Sequence, residues 1–137
     1  MAKITGGCLC GKIRYSSDAA PKFASLCHCR DCQKFSGSAF SAVIALPKAA
    51  VAITGTPKGF VKRGDSGKSI ERFFCPDCGA SIMDEAEAVP GLVMFTAGTL
   101  DDPSWVKPTS EIYCASAQPW LRLDAAMGLK SFAKVPR

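Results

Sequence analysis

The sequence predicts a single domain that is mainly β. Short runs of β-branched and aromatic residues alternate with glycine and proline along the 137 residues, and no stretch longer than about two turns has the period of a helix. A chain of this length buries roughly two thirds of its unfolded surface, which is enough for one core formed by residues 1–137. We therefore expect one domain without a linker or an internal repeat.

The candidate strands are the short apolar runs between these glycines and prolines. The longest run, 40–46, ends at Pro47, and the loop 63–68 between two runs contains Gly64 and Gly67, which favour a hairpin. In chain order the predicted strands are 12–15, 23–26, 40–46, 51–54, 59–62, 69–74, 80–83, 92–97 and 111–115. Helix is expected only in the turn after Cys29, around 100–105 and near 124–129.

Seven of the eight cysteines lie in three tight groups, a spacing that serves a metal ion better than disulfides. Cysteines two or three positions apart share one turn, where two sulfurs can reach a common ion at ~2.3 Å, whereas a disulfide within such a group would be strained. The groups are Cys8 and Cys10, then Cys27, Cys29 and Cys32, and then Cys75 and Cys78.

A closed tetrahedral zinc site needs four ligands, so seven cysteines predict one closed site and one incomplete site. The two pairs form the closed set, and Gly11 and Gly79 beside them permit the tight backbone that turns amide N–H groups toward sulfur. The triplet Cys27, Cys29 and Cys32 then holds a second ion with a vacant position, which is typical of a catalytic metal.

The triplet also has a structural alternative, in which His28 or the distant Cys114 completes it as a second closed site. His28 lies between two ligands, so in an extended segment its side chain points away from their metal and toward a pocket. As the sole histidine of the chain it is our candidate proton carrier. We expect Cys114 to be a buried, inert thiol in an apolar strand, with a reactive thiol as the alternative. We expect Trp120 to be a core residue or part of the apolar wall of a pocket.

The cysteines and the net charge indicate in which cellular compartment the protein lies and which partners it could bind. The amino terminus lacks the apolar stretch of a signal peptide, and free thiolates persist in a reducing environment, so we expect a cytoplasmic protein without membrane association. The formal net charge of +5 would fall to about +2 with seven ionised thiols and two zinc ions. Nucleic acid is therefore not an expected partner, and the sequence is compatible with a homo-oligomer.

Together these motifs resemble the glutathione-dependent formaldehyde-activating enzyme family (GFA domain), whose fold is shared with centromere protein V. The resemblance depends on three segments, 6–11, 27–34 and 72–79, and extends to a carboxyl-terminal strand followed by Trp120. It implies a β-tent fold of several coiled antiparallel sheets around a structural zinc site. It also implies a structural zinc ion on Cys8, Cys10, Cys75 and Cys78, and a catalytic zinc ion on Cys27, Cys29 and Cys32.

The activity that the resemblance implies is a carbon-sulfur lyase reaction that joins glutathione to formaldehyde as S-hydroxymethylglutathione. The ligand set agrees with it, because zinc with three thiolates has a net charge of −1 and is better suited to binding a thiol than to generating hydroxide. We expect His28 or solvent to move the proton to or from the hemithioacetal oxygen. The alternative function is a non-enzymatic zinc module that binds a protein or nucleic acid.

Overall fold

The computed structural model describes residues 3–123 and 127–136 and confirms the mainly β prediction. The strands are β1 (Ile4–Gly7), β2 (Arg14–Ser17), β3 (Phe23–Cys27), β4 (Ser41–Pro47), β5 (Val51–Thr54), β6 (Lys58–Arg63), β7 (Ser69–Phe74), β8 (Ser81–Ala86), β9 (Leu92–Thr96), β10 (Ser110–Ile112) and β11 (Lys130–Ser131). The helix α1 (Arg30–Ser36) follows β3, and short 3-10 helices lie at Lys48–Ala50, Ala97–Thr99 and Cys114–Ser116.

The strands form two sheets. The smaller sheet has the order β1-β2-β5 and is antiparallel, and the larger has the order β11-β10-β3-β4-β9-β8-β7-β6. Most neighbours in the larger sheet are antiparallel, but β10 lies parallel to both β3 and β11. These sheets agree with the β-tent fold that the resemblance implies, with a parallel edge added at β10.

The core lies where the smaller sheet packs on the middle of the larger one. The Tyr15 ring of β2 stacks on the Phe95 ring of β9, with 3.9 Å between ring centroids. Both side chains are buried, together with apolar residues of β4, β8 and β9. Burial of these apolar side chains is the main favourable contribution to folding, and it fixes the position of β1 relative to β7.

Two strands that the sequence did not predict depend on long-range pairing. Gly6 and Gly7 disfavour β1 locally, yet Gly6 is needed there, because a Cβ at this position would lie 2.4 Å from the Tyr15 hydroxyl. The second unpredicted strand, β11, has only two residues, too few to show any periodicity. Both strands exist because an adjacent strand supplies hydrogen bonds.

Helix predictions had mixed outcomes. The turn after Cys29 is confirmed as α1, which begins at the Cys29 N-cap and ends at Gly37 with φ of 67°. The helix expected at 100–105 is wrong, because Leu100 bridges to Gly6 and a turn closes from the Val106 amide to the Pro103 carbonyl. The segment expected at 124–129 includes residues 124–126, which lie outside the described residues.

The carboxyl-terminal predictions need two corrections. The strand predicted at 111–115 ends at Ile112, because Tyr113 has a φ of 56° and leaves the extended conformation. Cys114 therefore lies in a 3-10 helix and is half-buried rather than part of an apolar strand. Trp120, expected in the core, is 72% exposed.

Candidate metal centres

The four paired cysteines meet at one point although Cys10 and Cys75 are 65 positions apart. The first pair lies in the connection from β1 to β2, and the second lies in the turn after β7. All four sulfurs lie within 4.8 Å of one another, with 3.5 Å between Cys8 and Cys10 and 3.7 Å between Cys10 and Cys75. Tetrahedral zinc with ~2.3 Å bonds would separate its sulfurs by about 3.8 Å, so this quartet fits a zinc ion.

Backbone amides support the quartet sulfurs from each turn. The Ile13 amide donates to Cys8 Sγ at 3.3 Å, and the Asp77 amide donates to Cys75 Sγ at 3.4 Å. The tight turns require Gly11 and Gly79, whose φ values are 82° and 77°. Amide donors of this kind orient the sulfurs of a metal site, as the sequence predicted from these two glycines.

The triplet cysteines converge where β3 ends and α1 begins. Cys27 is the last residue of β3, Cys29 caps α1, and Cys32 lies in its first turn. Their sulfurs lie within 4.8 Å of one another, and among the described residues no further His, Cys, Asp or Glu joins this group. Cys27 and Cys32 are buried, whereas Cys29 is half-buried. Hydrogen bonds from the Cys27 and Cys32 side chains, and from the Cys32 amide, lower the pKa of the Cys29 thiol.

A buried glutamine holds the triplet segment in place. The Gln33 side-chain amide donates to the His28 carbonyl at 2.6 Å and to the Ser116 carbonyl at 3.1 Å, while its oxygen accepts from Gln118. Gln33 is 4% exposed. It therefore links the β3–α1 junction to the segment after β10, a role that no sequence pattern indicated.

His28 belongs to a different group from the triplet. Its Nε2 lies 2.8 Å from Glu111 Oε1, and the other oxygen of Glu111 accepts from Ser131 at 2.9 Å. Because side chains alternate along β3, His28 lies on the face of Leu26, whose register partner is Glu111, and not on that of Cys27. His28, Glu111 and Cys114 also form a set whose ligand atoms lie within 4.8 Å, so the structure places both alternative fourth ligands away from the triplet.

The β6–β7 hairpin approaches the triplet from another side. Arg72 of β7 donates from Nη2 to Cys32 Sγ at 3.8 Å, and Lys62 of β6 pairs with Asp31 of α1 at 2.7 Å. At the hairpin tip, Asp65 accepts a hydrogen bond from the Tyr113 hydroxyl at 2.8 Å. Burial, Asp65, Cys27 and Cys29 raise the pKa of Tyr113.

Sequence reasoning missed the role of Arg72, although a signal existed. Arg72 lies between Ile70 and Phe74 in the period-two pattern of β7, at a position whose neighbours on the same face are apolar. A charged residue at such a position indicates a buried partner. The partner itself, Cys32, is 40 positions away and could not be found from the pattern.

An open groove of about 610 Å³ lies on the side of α1 that carries Lys34 and Phe35. It runs between the end of α1 and the start of β8, and Ser41, the register partner of Cys27, is one of its lining residues. Small side chains dominate the lining, and Lys34 is its one charged residue among those described. A groove of this size falls in the range of small-molecule sites.

Fold and sites together define a mainly β protein with two cysteine clusters that could each bind a metal ion. A family model described as glutathione-dependent formaldehyde-activating enzyme matches residues 3–116. The chain belongs to this family, as the cysteine motifs predicted.

Two further comparisons concern a relative by sequence and a neighbour by fold. A Penicillium rubens protein named "Putative glutathione-dependent formaldehyde-activating enzyme" is 27% identical over 109 residues, which cover 77% of this chain and 56% of that relative. The chain thus spans little more than half of the relative's length. A crystal structure of a Rhodobacter sphaeroides protein superposes with a TM-score of 0.58 at 14% identity, covering 93% of this chain and 98% of that one. At this identity the likeness concerns the fold alone.

Among the described residues, no helix combines the length and apolar character needed to cross a membrane.

Proposed function

We propose that this protein is a zinc-dependent carbon-sulfur lyase acting on a thiol adduct, with S-hydroxymethylglutathione as the first candidate. The observation that carries the proposal is the triplet, because three sulfurs converge and no fourth ligand from the described residues joins them. Such a set leaves a position for an exogenous ligand. Membership of the formaldehyde-activating family supports glutathione as the thiol and formaldehyde as the electrophile.

The donor sets support zinc at both clusters. We assign a structural ion to the quartet, whose spacing fits tetrahedral thiolate coordination, and a catalytic ion to the triplet. When bound at the triplet, zinc would supply the positive charge that favours a thiolate over a thiol at neutral pH.

The chain's own residues would bind and orient the substrate. Cys29 is the most accessible of the triplet, so we expect the thiol to approach from its side. The groove beside Ser41 would hold the peptide part of glutathione, and Lys34 is the cation available there for a carboxylate. In the reaction the thiol sulfur bonds to the formaldehyde carbon, and the former carbonyl oxygen gains a proton.

That proton can come from His28 or from solvent, and the structure favours solvent. The His28 residue is 3% exposed, and its Nε2 is engaged with Glu111 on the face opposite Cys27. We therefore propose that water carries the proton and that the His28–Glu111 contact fixes β10 against β3. A catalytic His28 remains the alternative that the activity experiment below tests.

A reducing compartment suits this chemistry. No disulfide joins the eight cysteines, and both clusters require free thiolates to bind metal. We propose a cytoplasmic location on this ground. The small positive charge expected after metal binding gives no support for a nucleic-acid partner.

Metal analysis of protein purified without chelator should give about two zinc ions per chain, because the two clusters supply four and three thiolates. A value between one and two would indicate that the open triplet releases its ion more easily. Folded protein with a zinc content near zero would contradict both assignments.

The activity is tested by exchange NMR on mixtures of formaldehyde and glutathione, since this method measures the rate above the uncatalysed background. We expect the protein to speed formation of S-hydroxymethylglutathione and Cys29→Ser to abolish the increment, because the triplet then loses a ligand. His28→Gln should retain most of the increment if solvent carries the proton.

Different results would exclude different parts of the proposal. Loss of activity in a folded His28→Gln protein would assign the proton step to His28. Thiol binding without formaldehyde turnover would retain the carbon-sulfur class and reject this substrate. No thiol binding at all would favour the non-enzymatic zinc module.

A further inference from the structure

Arg72 is a buried cation in contact with the triplet. It is 7% exposed, and its Nη2 donates to Cys32 Sγ at 3.8 Å. Its Nε is also buried and has no hydrogen-bond partner; among the described residues, only His28 Nδ1 shares this condition. An unsatisfied buried donor is unfavourable, so one retained beside a candidate metal centre suggests a hydrogen bond to a bound ligand.

No carboxylate in the described residues neutralises Arg72 by direct contact. Asp84 lies opposite Arg72 in the β7–β8 register, but no ion pair joins their side chains. Burial raises the pKa of Asp84 to about 7, with a further contribution from Cys32. The side chain that Arg72 does contact is that of Cys32, so its nearest compensating charge is that of the triplet sulfurs.

The charge of the triplet determines which ligands it can accept. Three thiolates and a dication have a net charge of −1, so an added thiolate brings this to −2, whereas a neutral ligand leaves it unchanged. Two negative charges in a partly buried site are strongly unfavourable unless a cation lies close by. Arg72 is the cation that contacts this site, and it would offset the second charge.

We propose that Arg72 determines the specificity of the triplet for an anionic sulfur ligand, with its guanidinium compensating the added charge and its Nε donating to that ligand. This inference rests on the proposed function, because it assumes a dication at the triplet. Arg72 then selects a thiolate over a neutral donor such as imidazole. It is distinct from the three cysteines, which hold the ion without distinguishing between these two classes of ligand.

The test compares two ligands on protein whose triplet carries cobalt in place of zinc. Glutathione and imidazole are titrated at one fixed pH, and each dissociation constant is taken from the cobalt absorption spectrum. We expect Arg72→Gln to weaken glutathione binding about tenfold or more relative to imidazole. A purely structural role would weaken both ligands equally or release the metal.

Three variants complete the comparison. Arg72→Lys retains the charge and should recover most of the preference for glutathione. Arg63→Gln makes the same change of net charge on the exposed strand of the same hairpin and should behave as the native protein. If Arg72→Gln fails to fold, Arg72→Gln/Asp84→Asn removes Arg72 together with the charge opposite it and should also show a loss of preference, because the guanidinium that contacts Cys32 is gone.

Four results overturn the inference. The first is an unchanged ratio of the glutathione and imidazole dissociation constants in folded Arg72→Gln or in the double variant. The second and third are a loss of the preference for glutathione in Arg63→Gln as large as that in Arg72→Gln, and a complete loss of this preference in Arg72→Lys. The fourth is tighter binding of imidazole than of glutathione by the native protein. The last measurement needs no substitution. Failure of the native protein to bind any thiol would instead reject the proposed function itself, and this inference with it.

Discussion

We expect Cys78→Ser and Cys10→Ser to unfold the protein, whereas Cys29→Ser should remain folded and lose about one zinc ion. A structural zinc site can contribute on the order of 10 kcal/mol or more of apparent folding free energy, which equals the whole stability of a small domain. The quartet joins the β1–β2 connection to the turn after β7, so its loss removes the metal link between the two sheets. The triplet ligands are all local to one junction.

Circular dichroism and metal analysis of the three purified variants would check this difference. Cys114→Ser is the matched control, because this cysteine belongs to neither the quartet nor the triplet. It should retain the fold and both metal ions. Unfolding of Cys29→Ser to the same degree as Cys78→Ser would show that the triplet is structural as well.

Above pH 7, Asp84→Asn should raise the free energy of unfolding by on the order of 2 kcal/mol relative to the native protein. This difference should disappear toward pH 4. The pKa of Asp84 is raised from 3.8 to about 7, first by burial. Between these values the folded state binds more protons at this site than the unfolded chain, so the Asp84 contribution lowers stability as pH rises. Asparagine has no charge to bury and removes this dependence.

Urea unfolding of zinc-loaded native protein and variant between pH 5 and 9 would measure the difference directly. Asp18→Asn is the control, since it makes the same chemical change at an exposed position. Its unfolding free energy should follow that of the native protein at each pH. Parallel profiles for the native protein and Asp84→Asn would show that this carboxyl is not perturbed.

Local spacing explains why the cysteine clusters could be predicted from the sequence. Two thiols on one turn, such as Cys75 and Cys78, indicate a common metal ion without any knowledge of the fold, and Gly79 indicates that the turn is tight. Most strands were also predictable, because apolar runs between glycines and prolines are local too. The run 51–54 matches β5, and the loop predicted at 63–68 corresponds to residues 64–68 between β6 and β7.

The parts that could not be predicted all depend on contacts between distant segments. Glu111 reaches His28 only because β10 pairs in parallel with β3, and parallel neighbours leave no hairpin signal in the sequence. Arg72 likewise meets Cys32 through the fold alone. Tyr113 ends its strand in a left-handed conformation that tyrosine rarely adopts, so no local propensity indicated the break.

The different sequence spans of the two clusters imply an order of metal uptake during synthesis. All triplet ligands are present once residue 32 has emerged from the ribosome, whereas the quartet has to wait for Cys78. Closing the 65-residue segment between Cys10 and Cys75 also costs about 2 kcal/mol more than closing the five-residue span of the triplet. The triplet would therefore be able to bind a metal ion from the cell before β7 and Arg72 have been synthesised. Only the affinity of three thiolates for the available metals would then determine which ion binds first.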